Sequence, residues 1–229
     1  MWYRAWLEVR WRLVLMALLN TFIGALLLDD PVSAEVWLRR LGGNLPVVFA
    51  MNAIVLAGSG VASQLSQRPG QLVHPSMMFL LSLPITRARL VLVRESVGAL
   101  AALALMMLTF GAFFVLAPEL RVALPVSAAA VFIACVGMVV LTAYSISALL
   151  STFLDQLWQT YGAMALVALV LGVFPRARFW DSTLRHATDA VTVATSVSWI
   201  PVVIGVVACV CLCGATIAAS VRVVQRKQF

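Results

Sequence analysis

Ser96-Val-Gly-Ala-Leu-Ala-Ala-Leu-Ala-Leu-Met-Met-Leu-Thr-Phe-Gly-Ala-Phe-Phe-Val-Leu-Ala117 runs without one charged side chain and stops at Pro118. Wound as a helix at 1.5 Å per residue, this stretch would be about 33 Å long, close to the ~30 Å hydrocarbon thickness of a bilayer. Proline then ends it, having no N–H to give the ladder. The rest of the chain is of the same kind. It has 229 residues, 63% hydrophobic and only 11% charged, with a mean hydropathy of +1.03. Soluble domains carry about a quarter charged residues, and a soluble fold would leave this much apolar surface to aggregate. The composition predicts a polytopic, all-α membrane protein, a single domain over residues 1–229.

Working outward, the apolar runs predict six spans: Leu13–Leu28, Leu45–Ser63, Ser96–Ala117, Val126–Leu150, Leu157–Phe174 and Trp199–Val223. The fifth is the least apolar. In the second, Asn52, Gly58, Ser59 and Gly60 are small or polar and suit close helix packing. The first follows a basic stretch, as a signal peptide would. Its apolar run is long, however, and Asp29-Asp30-Pro31 is a poor cleavage site, so it is read as retained.

Charge sets the expected orientation. With six spans, the side of both termini carries ten Lys and Arg against three acids, and the other side six against six. The positive-inside rule therefore puts both termini in the cytoplasm, with bacterial inner (cytoplasmic) membrane as the expected location. The pI near 10.1 then reflects topology and anionic headgroups. It does not imply nucleic acid, for which no soluble basic face is available.

Before the first span, Trp2, Trp6, Val9 and Leu13 recur at helical spacing, with Arg4, Glu8 and Arg12 opposite them. This predicts an amphipathic helix lying in the membrane interface, in contact with lipid. The alternative is a plain helical extension of the first span with snorkelling arginines. Between the fifth and sixth spans, Pro175–Ser198 is the longest outer loop. Leu184, Ala187, Val191 and Ala194 follow the candidate cap Asp181-Ser182 there and predict a short outer helix. His186 in that loop reads as a solvated side chain beside Arg185. Cys209, Cys211 and Cys213 alternate along a helix, so only the first and last share a face. With no His or acid nearby they read as packing residues, and no metal site is expected.

The chemistry absent is informative. No GxxxxGK[ST] phosphate loop, HExxH or GxSxG occurs, and no pair of carboxylates lies inside a span. Asn20 and Asn52 alone make a thin relay for an ion-coupled transporter. The chain is therefore expected not to be an enzyme and to hold no cofactor.

The most distinctive segment is the loop between the second and third spans, Ser76-Met-Met-Phe-Leu-Leu-Ser-Leu-Pro84-Ile-Thr-Arg87-Ala-Arg89-Leu-Val-Leu-Val-Arg94. Met77–Leu83 can form a short apolar helix, broken at Pro84, and Thr86 can cap the third span. Such a loop is too apolar for water and needs a partner or the membrane interface. In Leu80, Leu81, Leu83, Pro84, Ile85, Thr86, Arg87 and Leu90 it resembles the permease subunits of type-2 ABC exporters. Their corresponding loop reads leucine-rich, then Leu-Pro-[Ile/Val]-[Ser/Thr]-Arg-x-x-[Leu/Ile].

That resemblance implies a coupling helix docking into a separate cytoplasmic ATP-binding cassette subunit, with ATP and Mg held by that partner. The residues it assigns to coupling are Met77, Leu80, Leu81, Leu83, Pro84, Ile85, Thr86, Arg87 and Arg89. It also implies a second permease copy or paralogue. Glu95 departs from the pattern, which has a small or apolar residue there. The residues by themselves leave two other functions open: a secondary transporter or channel, and a non-transporting membrane scaffold. Neither the substrate nor the role of Asp155 can be read from them.

Overall fold

A computed structural model of the chain describes residues 2–28, 45–57, 86–118, 121, 126–153, 162, 165 and 199–226. Among these every assigned element is a helix: α1 Trp2–Leu28, α2 Leu45–Ala57, α3 Arg87–Leu116, α4 Val126–Phe153 and α5 Trp199–Arg226. Ala88–Leu116 within α3 and Phe132–Thr152 within α4 are long and apolar enough to cross a membrane, and Val47–Ala57 and Val207–Val223 are shorter apolar helices.

The boundaries follow from local chemistry. Nothing between Trp2 and Leu28 breaks a helix, so the amino-terminal segment and the first span form one rod of 27 residues. The segment takes the form of a helical extension; it is not a separately bounded interfacial helix. α2 begins with Pro46 in its first turn, where the missing N–H costs nothing. α3 starts nine residues before the expected Ser96, takes in Arg87, Arg89, Arg94 and Glu95, and is 30 residues long. At 1.5 Å per residue that is about 45 Å, more than a bilayer core. Its end is where Pro118 requires it. Ala117 is extended (φ −107°, ψ 94°), the conformation that proline imposes on the residue before it. α4 and α5 start at the expected residues and run three residues past the expected ends. The expected span Leu157–Phe174 and the outer helix in Pro175–Ser198 lie outside the described residues, apart from helical positions Gly162 and Ala165.

Three sets of contacts fix the helix directions. Asn20 meets Thr109 at an offset of 89 residues, and Gly24 meets Phe113 at the same offset, so α1 and α3 are parallel. Gly98 faces Tyr144, Gly137 faces Leu103 and Met106, and Phe110 meets Phe132 in a tilted ring contact with centroids 5.5 Å apart. α3 and α4 are therefore antiparallel. Along α5, Cys209 meets Thr142, and Ser220 meets Glu95, which lies beyond the Tyr144 level. α5 thus runs parallel to α4. The starts of α1 and α3 and the ends of α4 and α5 share one end of the bundle.

α3 makes extensive contact with all four other helices, whereas α4 packs on α2, α3 and α5. The core is built from Phe49, Ala53, Leu56, Leu105, Met106, Phe110, Phe132, Val136, Val140 and Ala143. Polar residues are inside with them: Asn20, Asn52, Ser145, Ser147, Ser151, Thr152, Thr216 and Ser220 are all buried. Conversely Phe22, Leu100, Leu108, Val115 and Val210 are each more than 60% exposed. Polar side chains packed inside among apolar ones, with large apolar side chains left outside, is the arrangement suited to lipid. There helices associate by packing and hydrogen bonds and gain nothing from excluding water. Most buried hydroxyls bond to their own helix one turn back, as Ser145 does to Leu141 O (2.8 Å) and Ser151 to Ala148 O (2.6 Å). Each therefore enters the interior already satisfied.

Candidate functional site

Of the residues in the coupling-like stretch, Met77, Leu80, Leu81, Leu83, Pro84 and Ile85 lie outside the described residues. Thr86 is the N-cap residue of α3, as its position in the sequence leads one to expect. Its backbone is extended (φ −65°, ψ 134°), but its hydroxyl makes no capping bond. Thr86 O accepts the first intrahelical bond, from Leu90 N at 3.2 Å. Arg87 opens the helix, and Arg89 is exposed two residues on. In α1, Trp2 and Trp6 are exposed and Arg12 is partly buried, while Ala5, Val9 and Met16 face the core. The Arg10 guanidinium lies 5.4 Å from the Trp11 ring centroid, within cation–π range. Arg4 and Glu8 are in the same helix.

One turn and more into α3 the helix becomes polar on its inner side. Glu95 is partly buried, beside Ser220 of α5 and Arg94. The one hydroxyl proton of Ser220 goes to Thr216 O at 3.0 Å. Tyr144 of α4 is buried within electrostatic reach of Glu95, Arg94 and Arg12, with its ring against the Gly98 backbone. A Cβ on Gly98 would sit 2.7 Å from Tyr144 Cζ. One turn further along α4, Ser147 is fully buried and its hydroxyl has no hydrogen-bond partner among the described residues. Four helices thus meet at a charged, tightly packed cluster adjoining the start of α3.

Deeper in the bundle is a second polar group, without charge. Asn52 Nδ2 donates to Asn20 Oδ1 at 3.0 Å. Asn20 Nδ2 in turn donates to Thr109 Oγ1 at 3.1 Å. The chain ties α2 to α1 to α3. Against it lies a half-open cavity of about 280 Å³ between α1 and α3, lined by Asn20, Thr21, Gly24, Thr109, Phe113 and their apolar neighbours. Among the described residues lining it, none is charged.

The sequence pointed to Asn20, Asn52 and Glu95 as polar or charged residues at or near the spans. It did not point to Thr109, Tyr144 or Ser220. Each sits in an apolar run, and its partner is on another helix, which periodicity along one helix cannot reveal. The cysteines are free thiols: Cys135 is buried, Cys211 exposed, and Cys209 accepts a 3.5 Å bond from the Thr142 hydroxyl. Among the described residues no His, Cys, Asp and Glu group could hold a metal ion. No known family model matches the chain, and no curated protein or solved structure is significantly similar to it.

Proposed function

We propose that this chain is the membrane-spanning permease subunit of an ATP-driven ABC exporter, with its ATPase on a separate cytoplasmic subunit. The observation that carries the reading is the helix into which the leucine-rich Leu83-Pro84-Ile85-Thr86-Arg87 segment leads. That helix, α3, is the one in extensive contact with all four others. A push delivered at Thr86 by a closing ATPase dimer would act along α3 and reach every described helix at once. Both the charged cluster and the start of α1 are at the same end of the bundle, where the partner would dock.

Six spans with both termini cytoplasmic, in the bacterial inner membrane, are part of this proposal. The parallel course of α4 and α5 supports it, because the chain must return across the bundle between Phe153 and Trp199. Leu157–Phe174 is the apolar stretch available for that return. Two copies, or this chain and a paralogue, would enclose the path.

Carrying Pro84→Ala together with Arg87→Glu, the chain should still insert and still bind the ATPase, but hydrolysis should no longer drive export. Transport at the normal rate in that variant would sink the coupling assignment. So would a tagged chain that never brings down an ATP-binding protein.

A second reading, an ion-coupled transporter, is favoured by Glu95, a carboxyl drawn in among α3, α4 and α5. It requires that vesicles holding this chain alone dissipate an imposed proton or sodium gradient, which the exporter reading does not allow. The third, a membrane scaffold, predicts neither activity.

A further inference from the structure

The cavity between α1 and α3 has features that select an occupant. Its volume of about 280 Å³ is just below the ~300–1,000 Å³ of pockets for drug-sized ligands. A single chain or small ring system fits; a folded peptide or a glycan does not. Nor does another helix, which is about 10–12 Å across with its side chains. The mouth is flanked by Leu108 and Leu116, 70% and 63% exposed. Large apolar residues facing outward mark the lipid side of this bundle, so an occupant would enter sideways from the hydrocarbon.

The base of the cavity is polar and neutral. Thr109 Oγ1 accepts from Asn20 and so keeps its own proton to donate. Thr21 Oγ1 donates to Ala17 O at 2.8 Å and keeps its oxygen as an acceptor. Asn20 is 5% exposed, and its carbonyl oxygen accepts from Asn52 of α2, so the donor at Thr109 is held in place by a third helix. With no charge among the described residues of the lining, an ionised ligand would lose its hydration and gain no counter-ion from them, a cost of several kcal/mol.

The geometry points to a binding site for a neutral, largely apolar molecule carrying one hydroxyl or carbonyl group, taken from the membrane through the α1–α3 seam. This rests on the exporter reading in one respect: such molecules would be the class of substrate. As a binding site it stands apart from that reading.

The test uses the purified full chain in lipid nanodiscs, with no nucleotide and no ATPase, so its outcome is independent of the exporter assignment. The probe is a diazirine-tagged dodecanol, compared with a diazirine-tagged dodecyltrimethylammonium, which is permanently charged. After irradiation, the alcohol should label Ala17–Gly24 and Leu105–Leu116 preferentially, and untagged dodecanol should compete. Ala112→Trp, which fills the cavity, should abolish that labelling, and Leu108→Trp at the mouth gives an independent block. Thr109→Val should weaken it about two- to tenfold, the worth of one hydrogen bond. Labelling spread evenly to lipid-facing Leu100, Val207 and Val210, and unmoved by both tryptophans, would overturn the site. Seam labelling by the ammonium probe as strong as by the alcohol would overturn its neutral class.

Discussion

The two faces of α3 are packed in opposite ways. Toward α4 it is closed: Gly98 takes the Tyr144 ring against its backbone, Phe110 lies on Phe132, and Gly137 receives Leu103 and Met106. Toward α1 it is open. Two helices running in parallel are joined by a hydrogen bond at Asn20–Thr109, and they lie close enough at Gly24 that an added Cβ would sit 3.4 Å from Phe113 Cζ. A cavity is left between them. Without a hydrophobic force between helices in lipid, small residues and directional bonds are what remain to join them. The closed face uses small residues so that large ones fit, and the open face uses polar groups that reach. Both neighbours lie along α3 over much of its length, so what differs is the kind of join: interlocked side chains toward α4, a hydrogen-bonded polar seam with a cavity toward α1.

The largest expected effect is on the closed face. Gly98→Leu drives a branched side chain into Tyr144, which is 5% exposed and has no room to retreat. The variant should unfold in detergent well below the wild-type temperature or fail to accumulate. Gly98→Ala should cost about 1–3 kcal/mol, the range for overpacking a filled core. A Gly98→Leu chain of unchanged stability would show that this face is not interlocked.

Next comes the open face. Asn20→Leu removes both bonds of the chain and strands Asn52 and Thr109, at a cost of about 1–3 kcal/mol. The double variant Asn20→Leu/Asn52→Leu should be more stable than the sum of its singles, because removing both partners leaves less unpaired. Unfolding titrations of the four chains measure this coupling, and strict additivity would mean that the Asn20–Asn52 bond holds nothing.

The smallest effect is outside both faces. A Cβ on Gly111 meets nothing within 4 Å. Gly111→Ala should therefore only relieve the helix of glycine's entropy, a gain of about 0.5–1 kcal/mol. Destabilisation there, in the same titration, would mean that a surface now exposed is covered by something else.

How much of this could be read in advance differs by level. Unbroken apolar runs bounded by Pro118 and by charge announced α3, α4 and α5, because length and hydropathy are properties of one segment alone. The start of α3 is legible from its cap rather than from hydropathy: Arg87, Arg89, Arg94 and Glu95 interrupt the apolar run, but Thr86 can cap a helix ahead of them, arginine and glutamate are good helix formers, and no glycine or proline lies between Pro84 and Ser96. The division between interfacial helix and span failed, since Arg12 and Leu13 are no break in the backbone. At the candidate site, Asn20 and Asn52 were visible as polar residues in spans, but not that they bond each other. Tyr144 was invisible as a partner of Gly98, since contact between α3 and α4 depends on their mutual rotation, a quantity absent from either segment. The leucine-rich loop was the reverse case, distinctive in composition and outside the described residues.

Because α3 touches every other described helix, its residue count is as constrained as its composition. Deleting a single residue near Leu103 would turn everything beyond it by about 100°. Thr109 would swing away from Asn20, and Phe110 away from Phe132, while Gly98 stayed in place. Substitutions at outward positions such as Leu100 leave those partnerships intact, whereas no choice of side chain can repair a lost step. Over the course of evolution, changes of length in this protein belong before Arg87 or beyond Pro118, and the helix between them behaves as a shaft whose cams were cut to one spacing.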